Sequence, residues 1–143
     1  MISSITLEAP HLERLLREFP ERAKKAIQIS LQQSALIVQN AAKVNSPYLT
    51  GNLRRSITNE VKENQATIGT DVVYARIQEL GGVILPKTKK YLRFMTRDKN
   101  WVTVGKVIIP PFRGKGYLRP ALQDNAEKIL KNFADNIEKQ LTK

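Results

Sequence analysis

Two long stretches of the chain space their apolar residues at intervals of three and four, the period of an amphipathic helix. The first stretch runs from about Pro20 to Lys43, and its apolar stripe consists of Ala23, Ile27, Leu31, Ala35, Val38 and Ala42. Proline is favoured at the first position of a helix, and Pro47 disfavours helical geometry in the residue before it. The pattern therefore predicts a long helix between these two prolines, with Leu36 and Ile37 widening its buried face.

The second stretch begins at Pro120 and continues to the last residues of the chain. Its stripe consists of Leu122, Ala126, Ile129, Leu130, Phe133, Ile137 and Leu141, while charged residues occupy the opposite face. We therefore predict one continuous C-terminal helix. A shorter opening helix is predicted over residues 1–19, where Leu12, Leu15, Leu16 and Phe19 share one face.

Between the long helices, the pattern changes to short segments that alternate or are rich in β-branched residues. Strands are predicted at 53–61 and 66–70, with a turn at Glu63-Asn64-Gln65 between them. A second hairpin is predicted from strands at 91–96 and 101–109. Both connections are short enough for antiparallel pairing.

The segments around these hairpins predict irregular structure. Residues 71–80 end in a helix-like sequence, for which we expect a short helical turn that stops at Gly81-Gly82. The segment Pro110–Gly116 is predicted to be a flexible loop, because two prolines and two glycines interrupt regular structure. The elements together predict an α+β fold in a single domain, 1–143, with helices on one face of a small, mainly antiparallel sheet.

Composition excludes several classes of protein. The chain of 143 residues has no cysteine and one histidine, His11, so disulfides, thiol nucleophiles and most imidazole or thiolate metal sites are excluded. No apolar run approaches the length of a membrane span, and the first residues lack the features of a signal peptide. The absence of cysteine fits a reducing cytoplasm, and we expect no cofactor.

The net charge of +11 is concentrated in one segment, from Lys87 to Arg119, which carries ten basic residues and one acid, Asp98. The basic residues are Lys87, Lys89, Lys90, Arg93, Arg97, Lys99, Lys106, Arg113, Lys115 and Arg119. Five aromatic residues are interleaved with them, a combination found at nucleic-acid binding surfaces. Two interpretations remain open: contact with DNA or an acidic partner, and a solvated hairpin on which Phe94 and Trp101 face inward.

No motif for catalysis is present. His11 has no histidine or cysteine to join, and no serine lies in a Gly-x-Ser-x-Gly string. Folding could join the carboxylates of Glu60, Asp71 and Glu79, but solvated or paired acids are more common. For Glu79 we favour a carboxylate that accepts backbone N–H bonds or pairs with an arginine over a catalytic group.

Arg54 and Arg55 are adjacent in the strand predicted at 53–61, so they point to opposite faces. One of the two is then available to a partner. Arginine suits carboxylates and phosphates alike, so the partner could be another subunit or DNA.

The order and spacing of three fragments resemble the tail-completion, or tail-to-head joining, proteins of long-tailed bacteriophages and prophages. The first is Thr50-Gly51-x-Leu53-Arg54-x-Ser56-Ile57, the second is Tyr74-Ala75 followed by Glu79 and Gly81, and the third is Leu118-Arg119-Pro120-Ala121. The sequence departs from the common pattern at Leu80, where an aromatic residue is usual, and at Gly82, where threonine is usual. The insertion at 83–116 resembles a related group, the Mu-like virion morphogenesis proteins.

The resemblance implies a structural virion protein and not an enzyme. Copies of the chain would form a ring, commonly of about six subunits, between the tail tube protein and the head connector proteins. The protein would be made in the host cytoplasm and end in the neck or tail of the virion, with DNA passing through the ring. The residues expected at subunit or partner interfaces are Thr50, Gly51, Leu53, Arg54, Arg55, Tyr74 and Glu79.

The basic hairpin would point either into the channel, towards DNA, or along its axis, towards an acidic partner ring. The competing hypothesis is a stand-alone basic module that binds DNA without sequence preference. A small hydrolase is disfavoured by the residues that the sequence lacks.

Overall fold

A 26-residue helix, α1 (Pro20–Asn45), packs against the first β-hairpin and the two C-terminal helices. We call these packed elements the body of the protein. The computed structural model describes residues 14, 17–48 and 50–141. The opening helix predicted over 1–19, including His11, lies almost entirely outside the described residues. The α+β class is confirmed: a β-hairpin and the C-terminal helices pack on α1.

The bounds of α1 follow from its end residues. Pro20 begins the helix and Glu21 lies in its first turn, where a negative charge complements the helix dipole. At the other end Ser46 is extended, and its N–H donates to the carbonyl of Ala42 at 2.9 Å. The helix therefore stops just before Pro47, and the predicted helix is confirmed with two further residues at its end.

Small residues form the face of α1 that approaches the C-terminal helix α5 (Ala126–Leu141). Ser30 is completely buried, and its hydroxyl donates to the Ala26 carbonyl at 2.8 Å. The side chain of Asn132 on α5 donates to the Ser30 carbonyl and to the Ser34 hydroxyl, at 3.1 and 3.0 Å. Buried polar groups need such partners, so these bonds fix the pairing of the two helices.

The broad apolar face predicted for α1 is wrong at Leu36, which is 51% exposed. One residue along a helix is a step of about 100°, so Leu36 points away from its buried neighbour Ala35. The elements that pack on α1 do not cover that direction.

A short helix, α2 (Asn52–Ser56), stands where the sequence predicted the start of a strand. Leu53 and Ile57 are both buried four residues apart, a spacing that places two residues on one face of a helix as well as of a strand. Gly51, at φ +77°, begins the helix in a conformation that favours glycine. Arg54 and Arg55 consequently lie on a helix and do not alternate across a strand.

The strands of the first hairpin are β1 (Thr58–Lys62) and β2 (Gln65–Gly69), which pair antiparallel. Gln39 of α1 ties the hairpin to the helix: its side chain donates to the Ile57 carbonyl at 2.9 Å and accepts a bond from Asn59. The predicted hairpin is confirmed, with the first strand shortened by α2.

After α3 (Ala75–Leu80), which confirms the predicted helical turn, the chain leaves the body and forms two further pairs of strands. The β4 (Leu92–Met95) and β5 (Trp101–Val104) strands form the second predicted hairpin. The predicted strand at 101–109 is interrupted at Gly105-Lys106, and its second half, β6 (Val107–Ile109), pairs with β3 (Gly82–Ile84) instead. We call residues 82–115 the arm.

The C-terminal stripe forms two helices rather than the single predicted helix. The first, α4 (Leu118–Gln123), is separated from α5 by a turn at Asp124 and Asn125. The side-chain amide of Asn125 donates to the Ala121 carbonyl at 2.8 Å. In a continuous helix the Ala121 carbonyl would accept the backbone N–H of Asn125. The side-chain amide of Asn125 competes for that acceptor, so the helix breaks there.

The core lies where α1 meets α2, α3, α4 and α5. Its buried residues are Val38, Ala42, Leu53, Ile57, Ala75, Tyr117, Ala121 and Ile129. Within the described residues, no helix is long and apolar enough to span a membrane.

Candidate functional site: the Glu79 clamp and the basic arm

The carboxylate of Glu79 closes the base of the arm. Its Oε2 accepts the backbone N–H groups of Tyr117 at 2.7 Å and Leu118 at 2.8 Å, and its Oε1 accepts that of Arg119 at 2.9 Å. These donors lie at the start of α4, where backbone N–H groups have no partner within the helix. A negative charge at this position is favourable, and charge-assisted bonds are stronger than neutral ones.

Two glycines allow the chain to come this close. Gly116, at φ +79°, packs directly on Glu79, and a Cβ atom there would lie 2.6 Å from the Glu79 carbonyl oxygen. Gly81, at φ +70°, packs on the returning chain, and a Cβ atom there would lie 2.6 Å from the Ile109 carbonyl oxygen. We call Glu79, Gly81, Gly116 and the three N–H groups the clamp.

The clamp brings together two of the three fragments that carry the resemblance: the one around Tyr74 to Gly81 and the one around Leu118 to Ala121. The prediction that Glu79 accepts backbone N–H bonds is confirmed. Its expected interface role is untested and stays a prediction.

Tyr117 is buried completely beside the clamp, and its hydroxyl has no hydrogen-bond partner among the described residues. Burial raises the pKa of the Tyr117 hydroxyl to about 12, and the charge of Glu79 acts in the same direction. The folded state therefore holds this hydroxyl neutral at a pH where an unfolded chain, with an ordinary pKa of 10.0, would ionise it.

We expect the Tyr117→Phe variant to lose less stability in alkali than the parent protein. A raised pKa in the folded state stabilises the fold below pH 10, and this contribution declines as the pH rises from 10 towards 12. Over pH 9–11.5 the parent should lose about 2 kcal/mol more than the variant, since one pKa unit corresponds to about 1.4 kcal/mol. Urea unfolding at a series of pH values checks this, and parallel stability curves for the two proteins would contradict it.

The Thr50–Ile57 fragment is partly buried and partly available. Leu53 and Gly51 are buried, whereas Thr50 and Arg55 are exposed. The guanidinium carbon of Arg54 lies 4.9 Å from the centre of the Tyr48 ring, a cation–π contact that orders the half-buried arginine.

A hydroxyl pair connects this fragment to the end of the first hairpin. The Ser56 hydroxyl lies 2.6 Å from the Thr70 hydroxyl, which also accepts the Val72 N–H at 3.2 Å. Tyr74, which follows, is 43% exposed. Thr50, Arg55 and Tyr74 are thus the predicted interface residues with the most accessible side chains.

The β4–β5 hairpin of the arm has two different faces. Cross-strand partners share a face, so the pairs Leu92–Val104 and Phe94–Val102 make one face wholly apolar. The other face carries Arg93 and Trp101, and the Arg93 guanidinium carbon lies 4.9 Å from the centre of a Trp101 ring. Trp101 is 61% exposed and Phe94 is 41% exposed, so the inward orientation considered for both residues is wrong.

All nine basic residues of the arm are exposed. Arg97 and Lys99 lie at the tip of the hairpin, Arg93 lies on β4, and the others lie in the segments before β4 and after β5; these are Lys87, Lys89, Lys90, Lys106, Arg113 and Lys115. Two more of them contact aromatic rings: Lys90 lies over Tyr91 and Arg113 over Phe112. In the described part of the chain, none of the nine forms a salt bridge with a carboxylate.

The structure does not bring the three candidate acids together in one groove. Glu60 and Asp71 line a shallow, hydroxyl-rich groove of about 340 Å³ on the outer face of the first hairpin, and Glu79 does not line it. Among the described residues, no three acidic, histidine or cysteine side chains are grouped as metal ligands.

Sequence reasoning missed an apolar pair on the arm. Val83 and Ile108 face each other across β3 and β6 and are 54% and 67% exposed. The signal was the unbroken apolar sequence around each residue, but their pairing spans 25 positions and no local pattern indicates it.

Comparison with known proteins supports a structural role. Residues 11–81 match the HK97-gp10-like family model, described as "Bacteriophage HK97-gp10, putative tail-component". The match spans 71 of 143 residues, just under half the chain, and ends at Gly81, where the arm begins. It supports a bacteriophage tail-related family and a tail-component role, and its description names neither tail completion nor the Mu-like group. No curated protein and no solved structure matches the chain.

Proposed function

We propose that this protein completes a phage tail and joins it to the head connector, as a ring of copies around the DNA channel. The match of residues 11–81 to a phage tail-component family carries the proposal. The resemblance of the Thr50–Ile57, Tyr74–Gly81 and Leu118–Ala121 fragments to tail-completion proteins supports the finer assignment.

The surface of the arm supports a role in assembly. Half of the sixteen large apolar residues that are exposed in the described chain lie on it: Val83, Ile84, Leu85, Tyr91, Phe94, Met95, Trp101 and Ile108. Large apolar side chains that are exposed together on one segment are a feature of interaction sites in soluble proteins. Two-stranded ladders are marginally stable alone, so contact with neighbouring proteins would stabilise those of the arm.

In this proposal the clamp and the exposed fragment residues have different tasks. Thr50, Arg55 and Tyr74 are accessible and contact a neighbouring subunit. Gly51, Leu53, Arg54 and Glu79 hold those residues and the base of the arm in position. The tail tube protein and head connector proteins would contact the two ends of the ring.

We expect the purified protein to form a discrete ring at high concentration. Six copies of 16.2 kDa give a mass of about 97 kDa, measurable by light scattering after chromatography and visible by electron microscopy. Arg55→Glu should reduce the ring fraction at least tenfold, because it reverses a charge at the predicted interface. Lys128→Glu, an equal charge change on the exposed face of α5, is the matched control.

The alternative, a stand-alone DNA-binding module, predicts the opposite behaviour. Its support is the concentration of unpaired positive charge on the arm. Such a module would remain a monomer of 16.2 kDa at all concentrations while binding DNA. A strict monomer that also fails to bind tail tubes would contradict the ring.

A further inference from the structure

The arm carries most of the protein's excess charge. Its 34 residues contain nine basic side chains and one acid, a net charge of +8, out of +11 for the whole chain. The rest of the molecule is close to balanced. A local field of this strength attracts polyanions and accelerates their association.

Nothing within the described chain neutralises this charge. None of the nine cations forms a salt bridge there. The Asp98 carboxylate lies at the tip of the hairpin between Arg97 and Lys99, leaving the cations along the rest of the arm without a nearby acid in sequence. Keeping like charges together on a short arm is unfavourable unless a ligand of opposite charge binds them.

The kind of basic residue favours phosphates over an acidic protein surface. Six of the nine are lysines and three are arginines. Lysine is depleted from protein–protein interfaces and arginine is enriched there, whereas lysine serves well as a point charge beside phosphate.

The same surface has few means of reading a base sequence. Discrimination in the major groove uses asparagine, glutamine or arginine held in a fixed orientation against base edges. In the arm, Asn100 is the sole amide side chain, and it lies in the turn at the tip. Of the three arginines, Arg93 and Arg113 lie against aromatic rings of the arm itself and Arg97 lies at the tip. Phosphate contacts without base contacts position a protein on DNA but carry no sequence information.

We propose that the exposed basic residues of the arm bind the phosphate backbone of double-stranded DNA without sequence preference. Lys87, Lys89, Lys90 and Arg93 supply contacts along the arm, and Arg97 and Lys99 supply them at its tip. The apolar face of the β4–β5 hairpin lies opposite the face that carries Arg93 and stays available to protein. This inference deepens the proposed function, on which it rests for the location of the arm in the neck.

The experiment uses the single tryptophan of the chain as a reporter. Trp101 lies on the arm beside Arg93, so its fluorescence follows the arm directly. The full-length protein is titrated with two mixed-sequence duplexes of about 30 base pairs, a length chosen to exceed the arm. We expect equal affinity for both, in the range of about 10⁻⁴–10⁻⁶ M at physiological salt.

The dependence on salt measures the number of phosphates contacted. The logarithm of the association constant should fall linearly with the logarithm of the salt concentration, with a slope of about −4 or steeper. The triple change Lys87→Gln, Lys89→Gln, Lys90→Gln should weaken binding at least tenfold and flatten the slope by about 3. The matched control is Arg22→Gln, Lys24→Gln, Lys25→Gln, which removes three exposed charges from α1 and should change the slope by less than about 1.

Four outcomes would overturn the inference: no binding, at least tenfold different affinities for the two duplexes, equal loss for the two triple variants, or tighter binding of polyglutamate than of DNA. The last would assign the arm to an acidic protein. The ring mass of the same variants is measured in parallel. A protein that forms rings but does not bind DNA contradicts this inference alone, whereas one that binds DNA but never assembles contradicts the proposed function alone.

Discussion

Glu79→Gln is expected to lower the free energy of unfolding by about 2–4 kcal/mol. The carboxylate accepts three backbone N–H groups at 2.7–2.9 Å, and hydrogen bonds to a charged group contribute about 1.5–3 kcal/mol each. The amide of glutamine keeps one oxygen and turns an NH₂ group towards the remaining donors. The expected loss of stability is smaller than the sum of three such hydrogen bonds, because Glu79 is only half-buried. Water can therefore replace part of the lost hydrogen bonding.

Urea unfolding followed by circular dichroism measures this difference. Glu63→Gln is the matched control: the same chemical change in the exposed turn between β1 and β2, with an expected effect within about 0.5 kcal/mol. Glu79→Asp retains the charge but shortens the side chain, so it should recover only part of the stability. If Glu79→Gln and Glu63→Gln unfold at the same urea concentration, the clamp does not stabilise the body.

The sequence predicts that the Glu79 carboxylate accepts backbone N–H bonds, but it does not indicate which residues donate them. A glutamate beside Leu80-Gly81-Gly82, where the chain must turn, is typical of a carboxylate that accepts backbone N–H bonds. Its donors begin at Tyr117, 38 positions later. Such a contact depends on the path of the whole arm, which local spacing does not encode.

Helix α1 shows what local pattern can predict. Prolines at 20 and 47 mark its ends, and the alanines and valine of the predicted stripe are buried. The two serines that complete the contact with α5, Ser30 and Ser34, were not predicted. A buried serine looks like surface to a hydrophobicity pattern, and it becomes favourable only because Asn132 supplies a partner.

The errors have a common cause in competing local signals. Leu53 and Ile57 were assigned to a strand, although their spacing of four suits a helix as well, and Gly51 decided the outcome. The strand predicted at 101–109 is rich in β-branched residues throughout, so the change of partner at Gly105 left a single glycine as its only local sign.

The candidate interface was predicted less completely than the fold. The charge of the arm is a property of composition and needs no structure. The two faces of the β4–β5 hairpin depend on its register, in which Phe94 pairs with Val102 and Met95 with Trp101. A shift by one residue would exchange the faces, so only the structure separates the wholly apolar face from the face that carries Arg93 and Trp101.

Gly81→Ala is expected to disrupt the base of the arm and lower the free energy of unfolding by about 2–3 kcal/mol. Gly81 has φ +70° and ψ −172°, a region that is essentially restricted to glycine, and placing an L side chain there costs about 1–3 kcal/mol. The new Cβ would also lie 2.6 Å from the Ile109 carbonyl oxygen and 2.8 Å from the Pro111 nitrogen. Both are backbone atoms, so relief requires the two chains to separate where β3 pairs with β6.

The loss should be localised, which distinguishes it from the effect of Glu79→Gln. Hydrogen exchange with mass spectrometry should show faster exchange in peptides covering β3 and β6, while peptides from α1 remain protected. Gly105→Ala is the matched control in the same arm, since a Cβ there meets nothing within 4 Å and its φ is not positive. Equal exchange in the two variants would show that the close approach at Gly81 does not hold the arm. If the neighbouring proteins that stabilise the arm include other copies of the chain, Gly81→Ala should also reduce the ring fraction while Gly105→Ala leaves it unchanged, because an arm with an open base no longer holds its faces in one direction.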